Sequence, residues 1–268
     1  MESFEWYIYP LAILAGIVAG IINTLAGSGS LVTLPMLMFM GLPAHVANAT
    51  NRVGVVLQNI VGIWEYNRGG KLNMAGSLWL MLPIIPGGIF GAWLAAQLGA
   101  QQMEAVIGVV MVIMLFVILF RPEKWLREVS EAKPGRPPIL TLGLFFLIGA
   151  YGAFIQAGVG VFILAALVLG AGYTMVHANG IKLVLILAVT LIAVVIFLLE
   201  STPGEPLIDW GIGGLMAIGQ SIGAWVAARF ATRAKNANLW VRRLLIAVVV
   251  ISILDLFGIL PWLIGLVF

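Results

Sequence analysis

Long apolar runs alternate with short polar or charged stretches along the whole chain. Several of these runs approach or exceed the roughly 20 residues that an α-helix needs to cross about 30 Å of hydrocarbon. The first apolar region, from Ile8 to Gly41, is too long for one simple span, and the sequence GSGS at residues 27–30 interrupts it. The pattern therefore predicts an all-α polytopic membrane protein in which at least one helix is broken.

The composition excludes a soluble domain. Of the 268 residues, 62% are hydrophobic and 9% are charged, whereas a soluble domain carries about 25% charged residues. The start, MESFEWYIYP, has no basic segment before its apolar run, so we expect the first helix to be retained and not cleaved as a signal peptide. The chain has no cysteine and only two histidines. Disulfides and thiol chemistry are thereby excluded, and we expect neither a bound metal nor a cofactor.

The two halves of the chain resemble each other. GSGSLVTLPMLMFMGLPAHVAN at 27–48 matches GVGVFILAALVLGAGYTMVHAN at 158–179, and GGIFGAWLAA at 87–96 matches GQSIGAWVAA at 219–228. These colinear matches, shifted against each other by a single residue, indicate a duplicated unit. We predict a first repeat over residues 1–121, a cytoplasmic linker over 122–138 and a second repeat over 139–268.

Each repeat is predicted to contain five helical segments. The second segment of each repeat has only about 12 residues, which span roughly 18 Å, or half a bilayer. Such a short helix either continues the preceding helix, giving four spans per repeat, or folds back beside it as a hairpin followed by three transmembrane helices. The segments are 6–26, 31–41, 45–65, 74–99 and 102–120, then 139–157, 161–172, 175–199, 207–231 and 238–257, and the hairpins would be 6–41 and 139–172.

The basic residues favour the hairpin arrangement. With hairpins, 12 of the 14 basic residues fall on one face and none on the other. With four spans per repeat, the clusters at 121–136 and 229–243 would fall on opposite faces, against the positive-inside rule. A hairpin followed by three spans also makes the two repeats inverted, with the basic face in the cytoplasm and both termini outside. The opposite face carries Glu2, Glu5, Glu104, Glu200, Glu205 and Asp209.

The glycine breaks are candidate anion sites. Inverted repeats with broken helices are typical of secondary transporters, whose substrates bind near the midplane where helix ends point at them. Free N–H groups at a helix start carry partial positive charge, and glycine lets a ligand approach the backbone closely. The alternative is a tight helix hairpin that needs glycine only for packing. The break residues assigned to the site are Gly27, Ser28, Gly29, Ser30, Gly158 and Gly160.

These features together resemble a known family. The Gly-rich break before an apolar helix, Pro35 after GSGSLVTL, the sequence ANATNR at 47–52 and the repeated half are similar to the TauE/SafE sulfite exporter family of membrane permeases. The resemblance covers nearly the whole chain. It implies movement of sulfite, sulfoacetate, other organosulfonates or related sulfur-containing anions. The chain departs from the family in its first break, which is less rich in glycine, and the second copy has Ala166 in place of Pro35.

Two cations lie inside predicted membrane segments. When the two repeats are aligned, Lys182 falls one position before Arg52. A cation within a membrane is energetically costly, so such a residue is by default a candidate for function. The planar fork of arginine suits an oxyanion. The alternatives are side chains that reach the interface and, for Arg52, an ion pair with Glu65. Further candidate substrate ligands, each with helix capping or interhelical hydrogen bonding as the alternative, are Asn48, Gln156 and Asn179, together with Asn23 and Thr24 before the first break.

Other patterns carry less functional information. His45 and His177 lie at similar levels in the two copies and are candidates for proton coupling, with interfacial packing as the alternative. The GxxxGAW sequences at 87–93 and 219–225 are typical of close helix packing. The chain has no H-E-x-x-H, G-x-S-x-G or P-loop sequence, so we do not expect an enzyme.

The sequence thus favours a secondary transporter of a bacterial or archaeal cell inner membrane that moves a small sulfur-containing anion by alternating access. Export is favoured over uptake, because a negative cell interior expels an anion and no intramembrane carboxylate marks a coupled cation. The alternatives are an anion channel with the same site and a membrane subunit or sensor that transports nothing. The expected partners are the anion and membrane lipids, and we expect no binding of nucleic acid. The sequence does not distinguish a homodimer from a monomer.

Overall fold

The computed structural model describes residues 8–70, 72, 74, 77–119, 138–170, 173, 175–202 and 204–231. Within these ranges the regular backbone is helical, apart from an isolated bridge between Thr202 and Glu205. The all-α prediction is therefore confirmed. The helices are α1 (Ile8–Ala26), α2 (Ser30–Phe39), α3 (Ala44–Arg68), α4 (Leu78–Ala96), α5 (Ala100–Leu119), α6 (Ile139–Phe154), α7 (Val159–Ala165), α8 (Met175–Glu200) and α9 (Trp210–Ala231).

Predicted and observed segments agree within a few residues, with one difference in type. The segment predicted as one helix over 161–172 begins earlier, at Val159, and changes at Ala166 into a π-helical turn that ends at Gly170. Its counterpart α2 remains α-helical throughout and contains Pro35. Single π-helical turns are frequent at functional sites. The predicted helix 238–257 and residues 122–137 of the predicted linker lie outside the described residues.

Four of the described helices are long and apolar enough to cross a membrane, namely Leu78–Ala96, Ala100–Val117, Ala178–Glu200 and Trp210–Arg229. Helix α3 has 25 residues and is about 37 Å long, which is also sufficient. Its mean hydropathy is lower because its buried face carries polar side chains, including Arg52. The shorter apolar helices α1, α2, α6 and α7 belong to the two predicted hairpins.

Helices α1, α3 and α9 run in the same direction. In each pair of contacting helices, higher residue numbers of one helix contact higher residue numbers of the other. Parallel helices produce this order, and antiparallel helices produce the reverse. Small residues allow this close approach, since a side chain at Gly16 or Gly20 would overlap the backbone of α9. The residues in contact are Gly16 with Met216, Gly20 with Gln220, Thr50 with Asp209, and Gly54 with Gln220.

Helices α4, α6 and α8 also share one direction, and it is opposite to that of the first group. Residue numbers increase along both helices in the contacts of α4 with α6 and with α8, so these helices are parallel. In the contacts of α3 with α8, residue numbers increase along one helix and decrease along the other, so these two are antiparallel. The ascending pairs are Gly87 with Phe146, Gly91 with Ala150, Gly88 with Val189, and Gln97 with Glu200; the opposed pairs are Arg52 with Phe197, Gly62 with Leu183, and Tyr66 with Asn179.

These directions divide the described charges between two faces. Helices α3 and α9 end on one side with Arg68 and Arg229, which we call the basic face. Helices α4 and α8 end on the other side, where α9 begins, and Glu104, Glu200 and Asp209 lie there; we call this the acidic face. The hairpin arrangement predicts such a division, and the inverted repeats stay a prediction.

The GxxxGAW glycines pack helix against helix. Gly87 and Gly91 of α4 face α6, and Gly219 and Gly223 of α9 face α1. A Cβ atom at any of the four would overlap a carbonyl oxygen of the facing helix. The prediction that these sequences serve close packing is confirmed, and the two helix pairs occupy corresponding places in the two halves.

Candidate functional site

The two glycine breaks meet in the interior of the helix bundle. Gly27 follows the end of α1 and Gly158 follows the end of α6, and these matched glycines have φ angles of +73° and +71°. The N–H of Gly160 donates a hydrogen bond to the carbonyl oxygen of Gly27, with an N–O distance of 3.0 Å. A Cβ atom at either Gly27 or Gly160 would overlap the backbone of the other. The breaks are thus two hairpin tips in direct backbone contact.

Gly29 and Gly27 have different roles in the first break. The backbone of Gly29 is right-handed, with a φ of −59°, and the left-handed backbone lies at Gly27. Gly29 is needed for space: a Cβ atom there would lie 2.5 Å from the carbonyl oxygen of Ala19 and from Cβ of Asn23. Its N–H donates to Oδ1 of Asn23 at 3.3 Å. The N–H groups of Gly29 and Gly160, expected to be free for an anion, both donate within the protein in this conformation.

Arg52 holds the end of α6. Its guanidinium is fully buried and donates to the carbonyl oxygens of Gly152 at 2.7 Å and Ala153 at 2.9 Å. It also donates to Oε1 of Gln156 at 2.9 Å and to Oδ1 of Asn48 at 3.2 Å. The last carbonyl oxygens of a helix lack intrahelical partners and carry partial negative charge, so a cation is stabilising there. An ion pair with Glu65 plays no part in these contacts.

Lys182 holds the end of α1 in the corresponding way. Its ammonium group is fully buried and donates to the carbonyl oxygens of Thr24 at 3.1 Å and Asn23 at 3.4 Å. Arg52 lies in the first half and binds a helix end of the second half, whereas Lys182 lies in the second half and binds a helix end of the first. Neither side chain reaches the surface, so the alternative of a side chain extending to the interface is wrong for both.

The other predicted site residues differ in their hydrogen-bond partners. Asn48 donates to the carbonyl oxygen of Phe154 at 2.8 Å, and Gln156, which has a φ of 63°, donates to Oγ1 of Thr190 at 2.7 Å. Ser28 is buried at the first tip, and its hydroxyl has no hydrogen-bond partner among the described residues. Asn179 donates to the hydroxyl of Tyr66 on α3.

Of the two candidates for proton coupling, the structure describes the side chain of His45. His45 is partly buried near the start of α3, and its Nδ1 atom has no partner within the described ranges. The backbone of His177 belongs to α8, but its side chain lies outside the described part of the structure. Proton coupling through these histidines stays a prediction.

Sequence reasoning assigned no role to several polar residues that the fold brings to this region. The side chain of Asn51 donates to Oγ of Ser30 at 3.1 Å and accepts from Oγ1 of Thr33 at 2.6 Å, which ties α3 to α2. Gln58 and Gln220 are buried, and neither amide atom of Gln58 nor Nε2 of Gln220 has a partner among the described residues. The available signal was their spacing: Asn51, Gly54 and Gln58 recur on one face of α3, but only packing shows which face is buried.

An all-helical bundle with two broken hairpins meeting at buried cations is the architecture of a membrane transport protein. The chain belongs to the sulfite exporter TauE/SafE family, which matches residues 12–256. It is 26% identical over 239 residues to a Sinorhizobium sp. protein named "Probable membrane transporter protein ORF9", covering 89% of this chain and 88% of that protein.

Two further relatives carry similar names. A "Probable membrane transporter protein" of Haemophilus influenzae is 25% identical over 223 residues, covering 82% of this chain and 84% of that protein. The Escherichia coli "Probable membrane transporter protein YfcA" is 24% identical over 235 residues, covering 85% of each chain. No solved structure matches the chain. The protein is a multi-pass plasma-membrane transporter of the TauE/SafE family.

Proposed function

We propose that this transporter exports a small sulfur-containing anion, sulfite or an organosulfonate, by alternating access, and that the anion binds between the two hairpin tips. The observation that supports this most is the pair of fully buried cations, Arg52 and Lys182, each bound to a helix end of the opposite half. Buried charges within a membrane are expensive and usually mark a substrate pathway. The family membership supports the choice of a sulfur oxyanion.

The tips supply the rest of the proposed site. Oxygen atoms of the anion would accept hydrogen bonds from the ammonium of Lys182, the guanidinium of Arg52, the hydroxyl of Ser28 and backbone N–H groups of the tips. Such groups form a preorganised anion site at helix starts. The full set proposed to line it is Gly27, Ser28, Gly29, Ser30, Asn48, Arg52, Gln156, Gly158, Gly160, Asn179 and Lys182.

Binding and conformational change would be coupled through the tip contact. The N–H of Gly160 is occupied by the carbonyl oxygen of Gly27 in the described conformation. An anion that took this donor would have to separate the tips, and separation would free the backbone groups that bind it. A ligand that binds one arrangement better than another shifts the population toward it. The two tip arrangements are therefore proposed to be the two states of the transport cycle.

The helix directions support inverted repeats. Helices α1, α3 and α4 of the first half run opposite to their counterparts α6, α8 and α9 of the second, as the contacts of α3 with α8 illustrate. We propose repeats over residues 1–121 and 139–268, joined by a cytoplasmic linker over 122–138. Positive-inside asymmetry then puts the basic face in the cytoplasm. Expulsion of one negative charge from a negative interior is favoured by about 2.3 kcal/mol per 100 mV.

Flux in proteoliposomes tests the function. The purified protein should accumulate labelled sulfite or an organosulfonate, with saturable counterflow when unlabelled anion is present on the opposite side. Saturation without counterflow would favour the anion channel instead. No flux of any anion in a panel that includes sulfite, sulfoacetate, sulfate and chloride would favour the non-transporting subunit or sensor.

Topology is tested separately in this cysteine-free chain. Asn67→Cys lies at the basic face and Glu104→Cys at the acidic face, and both side chains are exposed. We expect an impermeant thiol reagent to label the first only from the cytoplasmic side and the second only from outside. Labelling of both from the same side would contradict the inverted repeats.

A further inference from the structure

Helices α3 and α8 occupy corresponding places in the two halves, but their buried surfaces differ in polarity beyond the tips. At matched positions, Gln58 of α3 corresponds to Val189 of α8, and Tyr66 corresponds to Phe197. Because the two helices run in opposite directions, the polar stretch of α3 leads from the tips toward the basic face. The apolar stretch of α8 leads from the tips toward the acidic face.

The polar stretch contains buried groups that lack partners. Gln58 is 1% exposed, and neither its Nε2 nor its Oε1 atom has a hydrogen-bond partner among the described residues. Nε2 of Gln220 on α9 is in the same situation. The two amides share the interface of α3 and α9, because a Cβ atom at Gly54, one helical turn before Gln58, would lie 2.5 Å from Nε2 of Gln220.

This stretch leads to Lys182. The Oγ1 atom of Thr24 is buried and unpartnered within the described ranges, and the carbonyl oxygen of the same residue accepts from the Lys182 ammonium. The contacts of Gly62 with Leu183 and of Tyr66 with Asn179 put Lys182 at the level of the same part of α3. Unpartnered buried amides and hydroxyls are rare in native proteins, and where they cluster they bind water or a ligand.

The corresponding region of α8 is mostly apolar, and the hydroxyl of its buried Thr190 is hydrogen-bonded. Val189, Ala193 and Phe197 are buried there, and Val189 packs against the glycine positions 88 and 152 of α4 and α6. The Phe197 ring lies under the Arg52 guanidinium, 5.8 Å from its carbon to the ring centroid. Apolar surfaces in close contact exclude water.

We propose that Thr24, Gln58 and Gln220 line a hydrated half-path that enters from the basic face, passes Lys182 and ends at Gln58 and Gln220 in the middle of the bundle. Val189, Ala193 and Phe197 keep the opposite half dry in the described conformation. The assignment of this half-path to the transported anion depends on the proposed function. The amide N–H groups and the ammonium along it suit a small hydrated oxyanion, whose oxygens accept hydrogen bonds.

Cysteine accessibility tests the proposal. Gln58→Cys and the matched Val189→Cys are compared in oriented vesicles, using methanethiosulfonate ethylsulfonate, a small anionic thiol reagent, applied at the basic face. A cysteine in a dry, packed region reacts only after local opening, so we expect Gln58→Cys to react at least about tenfold faster than Val189→Cys. Sulfite is left out of the labelling buffer, since it reacts with the reagent itself.

Three further variants make the result decisive. Asn67→Cys, exposed at the basic face, sets the maximum rate, and Ile60→Cys, whose position is 48% exposed on the outer surface of the bundle, reports on lipid exposure and should react slowly. Thr24→Cys replaces Gln58→Cys if that variant fails to fold, as judged by thermal stability in detergent. Rates at both Gln58→Cys and Thr24→Cys as slow as at Val189→Cys would overturn the hydrated half-path.

The labelling result is independent of transport. A protein without flux but with the expected difference in rates would retain the hydrated half-path and lose the proposed function. A protein with saturable flux but equal rates at the matched positions would retain the function and lose this inference.

Discussion

Arg52 and Lys182 bind helix ends in opposite halves, but they bind them with unequal numbers of hydrogen bonds. Arg52 donates to two carbonyl oxygens and two side-chain oxygens at 2.7 to 3.2 Å. Lys182 donates to two carbonyl oxygens at 3.1 and 3.4 Å. The rigid fork of arginine can bind several acceptors at once, whereas the ammonium is a point charge on a flexible stem.

The surroundings increase this difference. Gln156 and Asn48 extend the network around Arg52 to Thr190 and to the carbonyl oxygen of Phe154. At the first tip, the hydroxyls of Thr24 and Ser28 are buried and have no partner in the described part of the chain, and the same holds for Nε of Arg52. We therefore expect Arg52 mainly to fix the architecture of the tips and Lys182 to be the cation that exchanges its carbonyl ligands for the anion.

The largest effect is expected for Arg52→Ala. This change would leave the carbonyl oxygens of Gly152 and Ala153 and the Gln156 amide without their donor. A buried polar group left without a partner costs about 1–3 kcal/mol, so stability should fall by about 3 kcal/mol or more, and transport should be lost. Thermal unfolding in detergent, with Arg52→Lys as the control, measures the effect. Arg52→Lys should recover only part of the stability, since lysine cannot replace the fork. Unchanged stability in Arg52→Ala would remove its architectural role.

Lys182→Ala should separate transport from stability. One ordinary and one long hydrogen bond would be lost, and the Asn23 carbonyl oxygen would keep the N–H of Gly27 as a donor. Stability should therefore fall by less than in Arg52→Ala. Each lost bond to the charged anion is worth roughly 1.5–3 kcal/mol, which corresponds to about a tenfold to more than hundredfold weaker apparent affinity. Flux assays in proteoliposomes report the affinity, and Lys182→Arg, which retains the charge, should keep measurable transport. Normal affinity in Lys182→Ala would reverse the assignment of roles between the two cations.

Gly27→Ala should disturb the backbone contact between Gly27 and Gly160, which joins the two tips. Alanine at a left-handed position costs roughly 1–2 kcal/mol, and its Cβ atom would overlap the backbone of Gly160. We expect lower thermal stability and altered flux. Gly143→Ala is the control, because Gly143 lies in α6 with no atom within 4 Å of an added Cβ and alanine favours helix. Equal behaviour of the two variants would show that the tips need not touch.

The smallest effect on stability is expected for Gln58→Leu. Replacing an unpartnered amide with an apolar group of similar size should leave stability unchanged or raise it by up to about 1 kcal/mol, because an unsatisfied polar group is removed. Flux should nevertheless slow, since the half-path would lose a polar lining residue. Thermal unfolding and initial flux are measured together with Val189→Leu as the matched control. A clear loss of stability in Gln58→Leu would mean that the amide is bonded and not available to a hydrated path.

Much of the architecture could be predicted from the sequence. Apolar runs predicted the helices, because a segment in lipid must satisfy its own backbone hydrogen bonds, and the glycines at 27 and 158 marked the breaks. The duplication and the positions of the basic residues predicted corresponding helices with opposed directions. The GxxxGAW sequences predicted close packing, which the structure confirms.

The partners of the polar residues depended on long-range packing. Arg52 meets α6 about 100 residues away along the chain, and Lys182 meets α1 about 158 residues away, and no local pattern encodes such a meeting. The packing of α1 against α2 likewise determines that Gly27 has a positive φ and that Gly29 has no room for a side chain.

The sequence by itself determined a membrane-spanning helical protein with two matched halves, two broken helices and two intramembrane cations, since hydropathy, glycine and charge act locally or by composition. The tertiary structure decided what each cation binds, which glycines touch, and which buried amides remain without a partner. Hydrogen bonds act over a few ångströms, so these properties exist only after folding has brought distant segments within that range.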